Sequence, residues 1–347
     1  MPILNFVLSQ RNFHVKDENI EFYEKTHTYK LVKNVTDKNL TDKNVKNVKN
    51  VKNVKNVKNV KNVKNVKNVK NVKNVKNVTH ENEFTSVTTW IHTFFSEFNA
   101  DLIIAKMMIS KSWKEDHKYW GQTPTQIKEL WDTNRIEASQ SGTSLHFMIE
   151  CFMNNTNYSH DFVYTNKDLY ENYCFSQKQG LNDNDTNTDI KQKEWHYFIQ
   201  FINDFPDLTP YRTEWVIYHE DAFIAGSVDM VYKNSDGTLS IYDWKRSKKI
   251  VKTNDYKKFS NHPILSCIPD TNYWHYALQL NIYKYILQQK YNVLIKDLFL
   301  VRLHPDNENS SYELIELPDM SDIVSLLFEE RLSMIDKLTH TEKYFIM

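Results

Sequence analysis

The stretch Ile224 to Lys249, IAGSVDMVYKNSDGTLSIYDWKRSKK, constrains this chain more than any other. Apolar and polar residues alternate on either side of Asn234-Ser235-Asp236-Gly237, a pattern that predicts two strands joined by a tight turn. Asn at the first turn position and Gly at the fourth suit a type I turn closed by a left-handed glycine, hence a three-residue hairpin loop. That loop pairs Asn234 with Thr238, and counting back along both strands brings Asp229 opposite Asp243. The two carboxylates then share one sheet face with Cβ atoms about 5 Å apart. Lys245, two residues past Asp243, points the same way because strand side chains repeat with period two.

Carboxylates so close repel, and the arrangement is relieved by a shared proton or by a divalent cation. Magnesium suits it: a hard ion that takes one or two carboxylates, keeps several waters and leaves room for phosphate oxygens. An ammonium beside it can orient an attacking water and offset charge building on a phosphate, as phosphodiester hydrolysis requires. An isolated D-x-K tripeptide is common on solvated strand faces; the upstream aspartate at matching parity singles this one out.

Gly226-Ser227-Val228-Asp229 followed by Asp243-Trp244-Lys245 resembles the core signature of the PD-(D/E)xK nuclease superfamily. Two flanking segments narrow the resemblance to its RecB-like exonuclease branch, which includes mitochondrial genome maintenance exonucleases and viral relatives. Gly142-Thr143-Ser144-Leu145-His146-Phe147-Met148-Ile149-Glu150 is similar to that branch's G-T-x-x-H-x-x-x-E helix, and Gln279-Leu280-Asn281-Ile282-Tyr283 to its Q-x-x-x-Y helix. Val228 stands where the literal proline of the superfamily name would precede the aspartate. The resemblance implies an α/β fold with a restriction-endonuclease-like core, a mixed β-sheet flanked by helices, and an N-terminal helical and hairpin extension. It implies His146, Asp229, Asp243 and the Trp244 carbonyl as metal ligands, Lys245 as the residue that orients the water, and Glu150, Gln279 and Tyr283 in support. Mg²⁺ is the expected cofactor, with Mn²⁺ able to substitute, and the expected partner is DNA, cut at single-stranded ends during genome replication, repair or recombination. Two alternatives stand beside that expectation: a structure-dependent endonuclease, and a catalytically idle DNA-binding subunit, against which the retention of both acids and the lysine argues. Some RecB-like nucleases carry a four-cysteine iron–sulfur cluster; Cys151, Cys174 and Cys267 are too few for one.

At 347 residues and 40% hydrophobic content the chain can bury a sizeable core. It has no apolar run near the roughly 20 residues that span a bilayer. Its first 24 residues lack a basic-then-apolar signal pattern and mix acids with few arginines, against a transit peptide. A soluble intracellular protein without a membrane partner is expected, and three cysteines without C-x-x-C spacing agree.

From Val45 to Asn77 the triplet Val-Lys-Asn repeats without interruption. A period of three matches neither helix nor strand, so the tract is expected to be a poorly ordered insertion. It carries 11 lysines and no acids; taking these from the chain's 44 basic residues leaves 33 against 44 acidic ones elsewhere. The lysines either tether DNA through counterion release or decorate a solvated loop. The expected organisation is therefore an N-terminal part of the nuclease domain over residues 1–44, the repeat insertion over 45–77, and the remaining nuclease domain over 78–347 with a catalytic core at about 139–304.

Elsewhere, Ile20 to Tyr23 and His27 to Leu31 predict a small hairpin, and Ser86 is a fair N-cap for an aromatic helix from Trp90 to Phe98. The stripe Trp90, Phe94, Phe95, Phe98 is either core or a stacking platform for unpaired bases, and Trp120 is equally undecided. Residues 123 to 155 predict a helix carrying His146 and Glu150 on one face, 152 to 190 an irregular insertion, and 191 to 204 an amphipathic helix. The strand Tyr211 to Tyr218 follows, with Glu214 either facing the site or, as the plainer reading, a solvated strand acid. Arg246, Lys248 and Lys249 either contact a phosphate backbone or form a solvated charged face. A helix over 273–291, strands over 296–303 and 312–317, and a closing helix over 320–338 complete the expected fold.

Overall fold

The structure, a computed structural model, describes residues 8–23, 26, 28–32, 83–155, 188–254 and 256–345. The central hairpin forms as its turn dictates. Asn234 N donates to Thr238 O at 2.8 Å, Gly237 adopts φ +86°, and the strands pair Lys233 with Leu239 through Met230 with Tyr242. These strands are β5 (Ile224–Lys233) and β6 (Leu239–Lys245) of an eight-stranded mixed sheet among the described residues. The others are β1 (Ile20–Tyr23), β2 (Thr28–Leu31), β3 (Glu83–Ser86), β4 (Thr209–His219), β7 (Ile295–Arg302) and β8 (Glu313–Glu316). The path runs β1-β2-β3-β5-β6-β7-β8, with β4 along the other edge of β5. β3 with β5 and β6 with β7 are parallel, and the remaining pairs are antiparallel.

One feature of this strand order positions the candidate site. β4 occupies the whole of one edge of β5, from Lys233 to Ile224. β3 and β6 must therefore share the opposite edge, and they do so end to end: β6 pairs no further than Met230, and β3 pairs only Ile224 and Ala225. Between them, Gly226 to Asp229 have no strand neighbour on that side among the described residues. β6 carries on beside β7 as far as Lys245, so the two strands part after Met230 and Tyr242, one step before Asp229 and Asp243 would pair as expected.

Helices α1 (Val87–His92), α2 (Ala100–Met108), α3 (Pro124–Asn155), α4 (Thr188–Asp204), α5 (Asn272–Lys290) and α6 (Ser321–Phe345) flank the sheet. One core cluster joins α1, α5 and α6 to Trp215, Val228, Ile241 and Leu300, and a second joins α3 and α4 to Met230, Tyr242, Trp244 and Val301. Helices thus cover both faces, as a mixed sheet buried on both sides requires. α3 begins at a capping box: Gln126 N donates to the Thr123 hydroxyl, Thr123 N donates to the Gln126 side chain, and Pro124 occupies the first turn. Its Leu145, Met148, Ile149, Phe152 and Met153 recur at helical spacing and enter the second cluster, which leaves His146 and Glu150 on a neighbouring flank.

Two expectations need correction. The aromatic helix stops at His92, where Phe94 N donates back to Ile91 O in a tighter turn, and Asn99 opens the next helix by accepting from Leu102 N. Phe94 and Phe95 are buried from the connecting turn, whereas Phe98 is exposed, so the stripe is not one helical face. α3 ends at Asn155, where the helix expected over 123–155 should end, whereas α4 starts at Thr188, three residues before the start expected at 191 and inside the stretch expected to be irregular. The repeat at 45–77 and residues 156–187 lie outside the described residues. Among the described residues no helix is long and apolar enough to cross a membrane.

Candidate metal centre

The split in the sheet is held open by side chains. In a continuing ladder the Trp244 backbone would pair with β5; instead Trp244 N donates to Asp229 Oδ2 at 3.0 Å, and Trp244 O accepts from His146 Nε2 at 2.8 Å. His146 Nδ1 lies 3.4 Å from Asp229 Oδ2, so one imidazole from α3 bridges both strands. Strict alternation also fails here. Val228 and Val231, three residues apart, enter one core cluster, while Met230 and Tyr232 enter the other. On β4, Glu214 stands between the paired residues Thr213 and Trp215, level with Asp229, in the left-handed region at φ +45°. Non-glycine residues held there store strain and cluster at functional sites.

His146, Glu214 and Asp229 each present a ligand atom within 4.8 Å of the others. One imidazole nitrogen and two carboxylate oxygens, with a main-chain carbonyl adjoining, form a donor set suited to a hard divalent cation. The electrostatics agree with that chemistry. Burial, then Asp229 and Glu150, push Glu214 up to about 9, while the Ser227 hydroxyl, 3.2 Å from Glu214 Oε2, opposes the rise. Burial and then Asp229 push Asp243 up to about 6, although Lys245 pulls it down. These carboxyls share too little solvent for all to ionise comfortably without a positive charge among them.

Asp243 stands beside this group rather than in it. It is 1% exposed, and its Oδ2 meets Lys245 Nζ at 2.5 Å. Burial alone would lower the Lys245 ammonium's pKa, but Asp243 and Asp229 outweigh it and raise the value. Lys245 also lies 3.5 Å from Gln279 Oε1 and 4.8 Å from the Tyr276 ring centroid. Gln279 Nε2 donates to the Tyr283 hydroxyl at 3.0 Å, and Tyr283 packs where β5 has lost its neighbour. A Cβ at Gly226 would fall 2.5 Å from Tyr283 Cε1, so the ring needs glycine beneath it. Gly226, Tyr283, Gln279, Lys245 and Asp243 thus form one chain of contacts across two motifs.

The structure brings His146, Glu150, Asp229, Asp243, Trp244, Lys245, Gln279 and Tyr283 to one place, with Glu150 close enough to raise Glu214. The four residues expected at DNA are less uniform. Arg246 is largely buried and meets Glu194 of α4 at 2.6 Å; Lys248 meets Asp306 at 3.2 Å; Lys249 lines a surface cleft with Arg302 and Glu313. Trp90 is 6% exposed and packs between Phe94 and Phe328, an arrangement of core packing rather than base stacking.

Tyr29 is an unforeseen member of the site, and Glu214 faces the site where a solvated strand acid was the plainer expectation. Glu214 was legible in principle: counting across the Glu220 to Phe223 turn, as across the first hairpin, aligns it with Asp229. Tyr29 was not, because nothing in β2 points to a site nearly 200 residues away. Burial raises its phenol well above the ordinary value, and Glu214 and Asp229 add to the rise. No model of a known protein family matches the sequence, and no curated protein matches it either.

Proposed function

We propose that the protein is a metal-dependent DNA exonuclease, built on a restriction-endonuclease-like core of the RecB-like kind, that hydrolyses phosphodiester bonds at single-stranded ends. The observation that carries this reading is the placement of His146, Glu214 and Asp229 within ligating distance of one another, beside a lysine that Asp243 keeps charged. His146, Glu214 and Asp229 would hold Mg²⁺, or Mn²⁺ in its place, which when bound polarises a phosphoryl oxygen and lowers the pKa of a bound water. Lys245, retained as an ammonium, can only donate. It orients the attacking water and offsets charge on the phosphate but cannot remove the water's proton. Asp243 and Gln279 hold its Nζ from two sides, and the Tyr283 hydroxyl fixes Gln279 in turn. In the reaction the water oxygen bonds to phosphorus as the bridging P–O bond breaks; the proton that the water gives up passes to solvent and the departing oxygen takes one from solvent, so that one water is added across the bond.

The test uses purified full-length protein and end-labelled single-stranded DNA, with magnesium and with chelator, and with Asp243→Ala and Lys245→Ala beside wild type. Cleavage is expected only for wild type with the cation, and a covalently closed single-stranded circle should stay intact. Cleavage in chelator, or undiminished cleavage by both variants, would remove the reading.

A further inference from the structure

A second surface carries aromatic chemistry that the hydrolytic site leaves unused. Between α2 and the first half of α3, six rings touch in sequence. Phe98 meets Trp131 at 6.0 Å between centroids, Trp131 meets Tyr119 at 6.1 Å, and Tyr119 meets His117 at 5.8 Å. His117 meets Trp113 at 4.8 Å, and Trp113 meets Trp120 at 5.9 Å. Ile104 of α2 and Ile127 of α3 are both buried and the two helices touch, so the ribbon stands on packed elements. The rings nevertheless remain in solvent: Phe98 is 72% and Trp120 45% exposed, and none of the six is buried. A chain that seals Trp215 and Trp244 completely has left these outside.

The charge between the rings indicates what covers them. At the Trp113 and Trp120 end, Lys106, Lys111, Lys114 and Lys118 stand against Glu115 and Asp116, and none of the four meets a carboxylate among the described residues, whereas the Phe98 and Trp131 end is acidic, with Glu97, Glu129, Asp132 and an Asp101 paired with Lys128. Lys118 sits instead over the Tyr119 ring, 5.1 Å from its centroid. Protein interfaces are depleted in lysine, which argues against a second copy of this chain. Rings separated by lysines suit a strand whose bases offer π-faces and whose backbone offers phosphates, and only unpaired bases have their faces free. Position adds to this. Trp131 and His146 lie on one helix, fifteen residues or about 22 Å apart, and fifteen steps of about 100° return them to within about 60° of the same face.

We infer that this ribbon is the binding track for single-stranded DNA whose end reaches the metal centre, engaging bases about six nucleotides from the cut at the stacked spacing, fewer if the strand is extended. The substrate is then single-stranded because the track reads base faces. This inference rests on the nuclease reading for the identity of the strand, but its test does not depend on cleavage.

Anisotropy of a labelled oligothymidylate dodecamer is measured in chelator with the full chain. Trp113→Ala and Trp120→Ala are each expected to weaken binding about tenfold, Trp120→Phe to retain it, and a duplex of equal length to be insensitive to all three. Thermal unfolding of each variant serves as the folding control, and because these side chains reach solvent it should match wild type. Unchanged single-strand affinity in both alanine variants, equal losses on duplex, or loss of a dimer with DNA affinity intact would each overturn the inference. Wild-type protein that binds through the ribbon yet cleaves nothing with magnesium would sink the nuclease reading and leave the track standing.

Discussion

Glu214 bears the clearest electrostatic cost in the molecule. Its carboxyl and that of Asp243 titrate higher in the folded chain, at about 9 and about 6, than an unfolded carboxyl near 4. A raised folded value contributes stability that is complete below the unfolded pKa and is lost as pH climbs through the folded one. The metal-free protein should therefore melt at progressively lower temperature as pH rises from about 5 to about 9. Glu214→Gln should flatten the upper part of that decline, and added magnesium or manganese should restore the wild-type midpoint at the alkaline end. Calorimetry in chelator across that range checks this, and a flat wild-type profile would count against the buried carboxyls as a cation site. Gly226 carries the complementary steric prediction. Gly226→Ala drives a methyl into Tyr283, so a cost of about 1–3 kcal/mol is expected in chemical denaturation, together with reduced cleavage as Tyr283 and Gln279 shift from Lys245. Gly226 is the easier of the two to read from sequence, for a physical reason. Gly226 sits in a contiguous motif, whereas Glu214 acquires its meaning from a second register and a positive φ.

At the scale of elements, the sequence was most informative where structure is local. Asn234 to Gly237 set the hairpin register unaided because turn chemistry acts over four residues, and Thr123 and Pro124 mark the start of α3 for the same reason, to which the structure adds Gln126. The end of α1 was hidden, since spacing continues past His92 and only the packing of Phe94 and Phe95 shows that the chain has turned. The split of β5 and β6 was hidden too, because strict alternation was assumed up to Asp229 and fails there. The buried Glu194–Arg246 pair is an element-level device: it fastens α4 to the chain immediately beyond Lys245. Glu194→Ala leaves the guanidinium largely buried without its carboxylate and is expected to cost about 3–5 kcal/mol. Replacing both partners with methionine should recover most of that loss. Denaturant titration of the single and double variants measures the coupling, and a loss below about 1 kcal/mol in the single variant would show that water replaces the carboxylate.

On the scale of the whole molecule, the long segment between β2 and β3 joins two adjacent antiparallel strands, with Tyr29 beside Phe84 and Lys30 beside Glu83. Its ends are therefore close whatever its length. Closure entropy grows only with the logarithm of length, so removing residues 45–77 from the 51 between Leu31 and Glu83 should stabilise the chain by no more than about 1 kcal/mol. Thermal melts and cleavage rates of the deletion variant are expected to stay near wild type, and collapse of either would make the tract structural. The same connection has a second consequence. Every motif on which the proposed reaction rests lies after residue 140, so a gene trimmed to begin at the third strand would still display all of them to any reader of sequence. It would nonetheless encode an incomplete wall around the carboxyls, because the phenol of Tyr29 comes from the other side of the repeat.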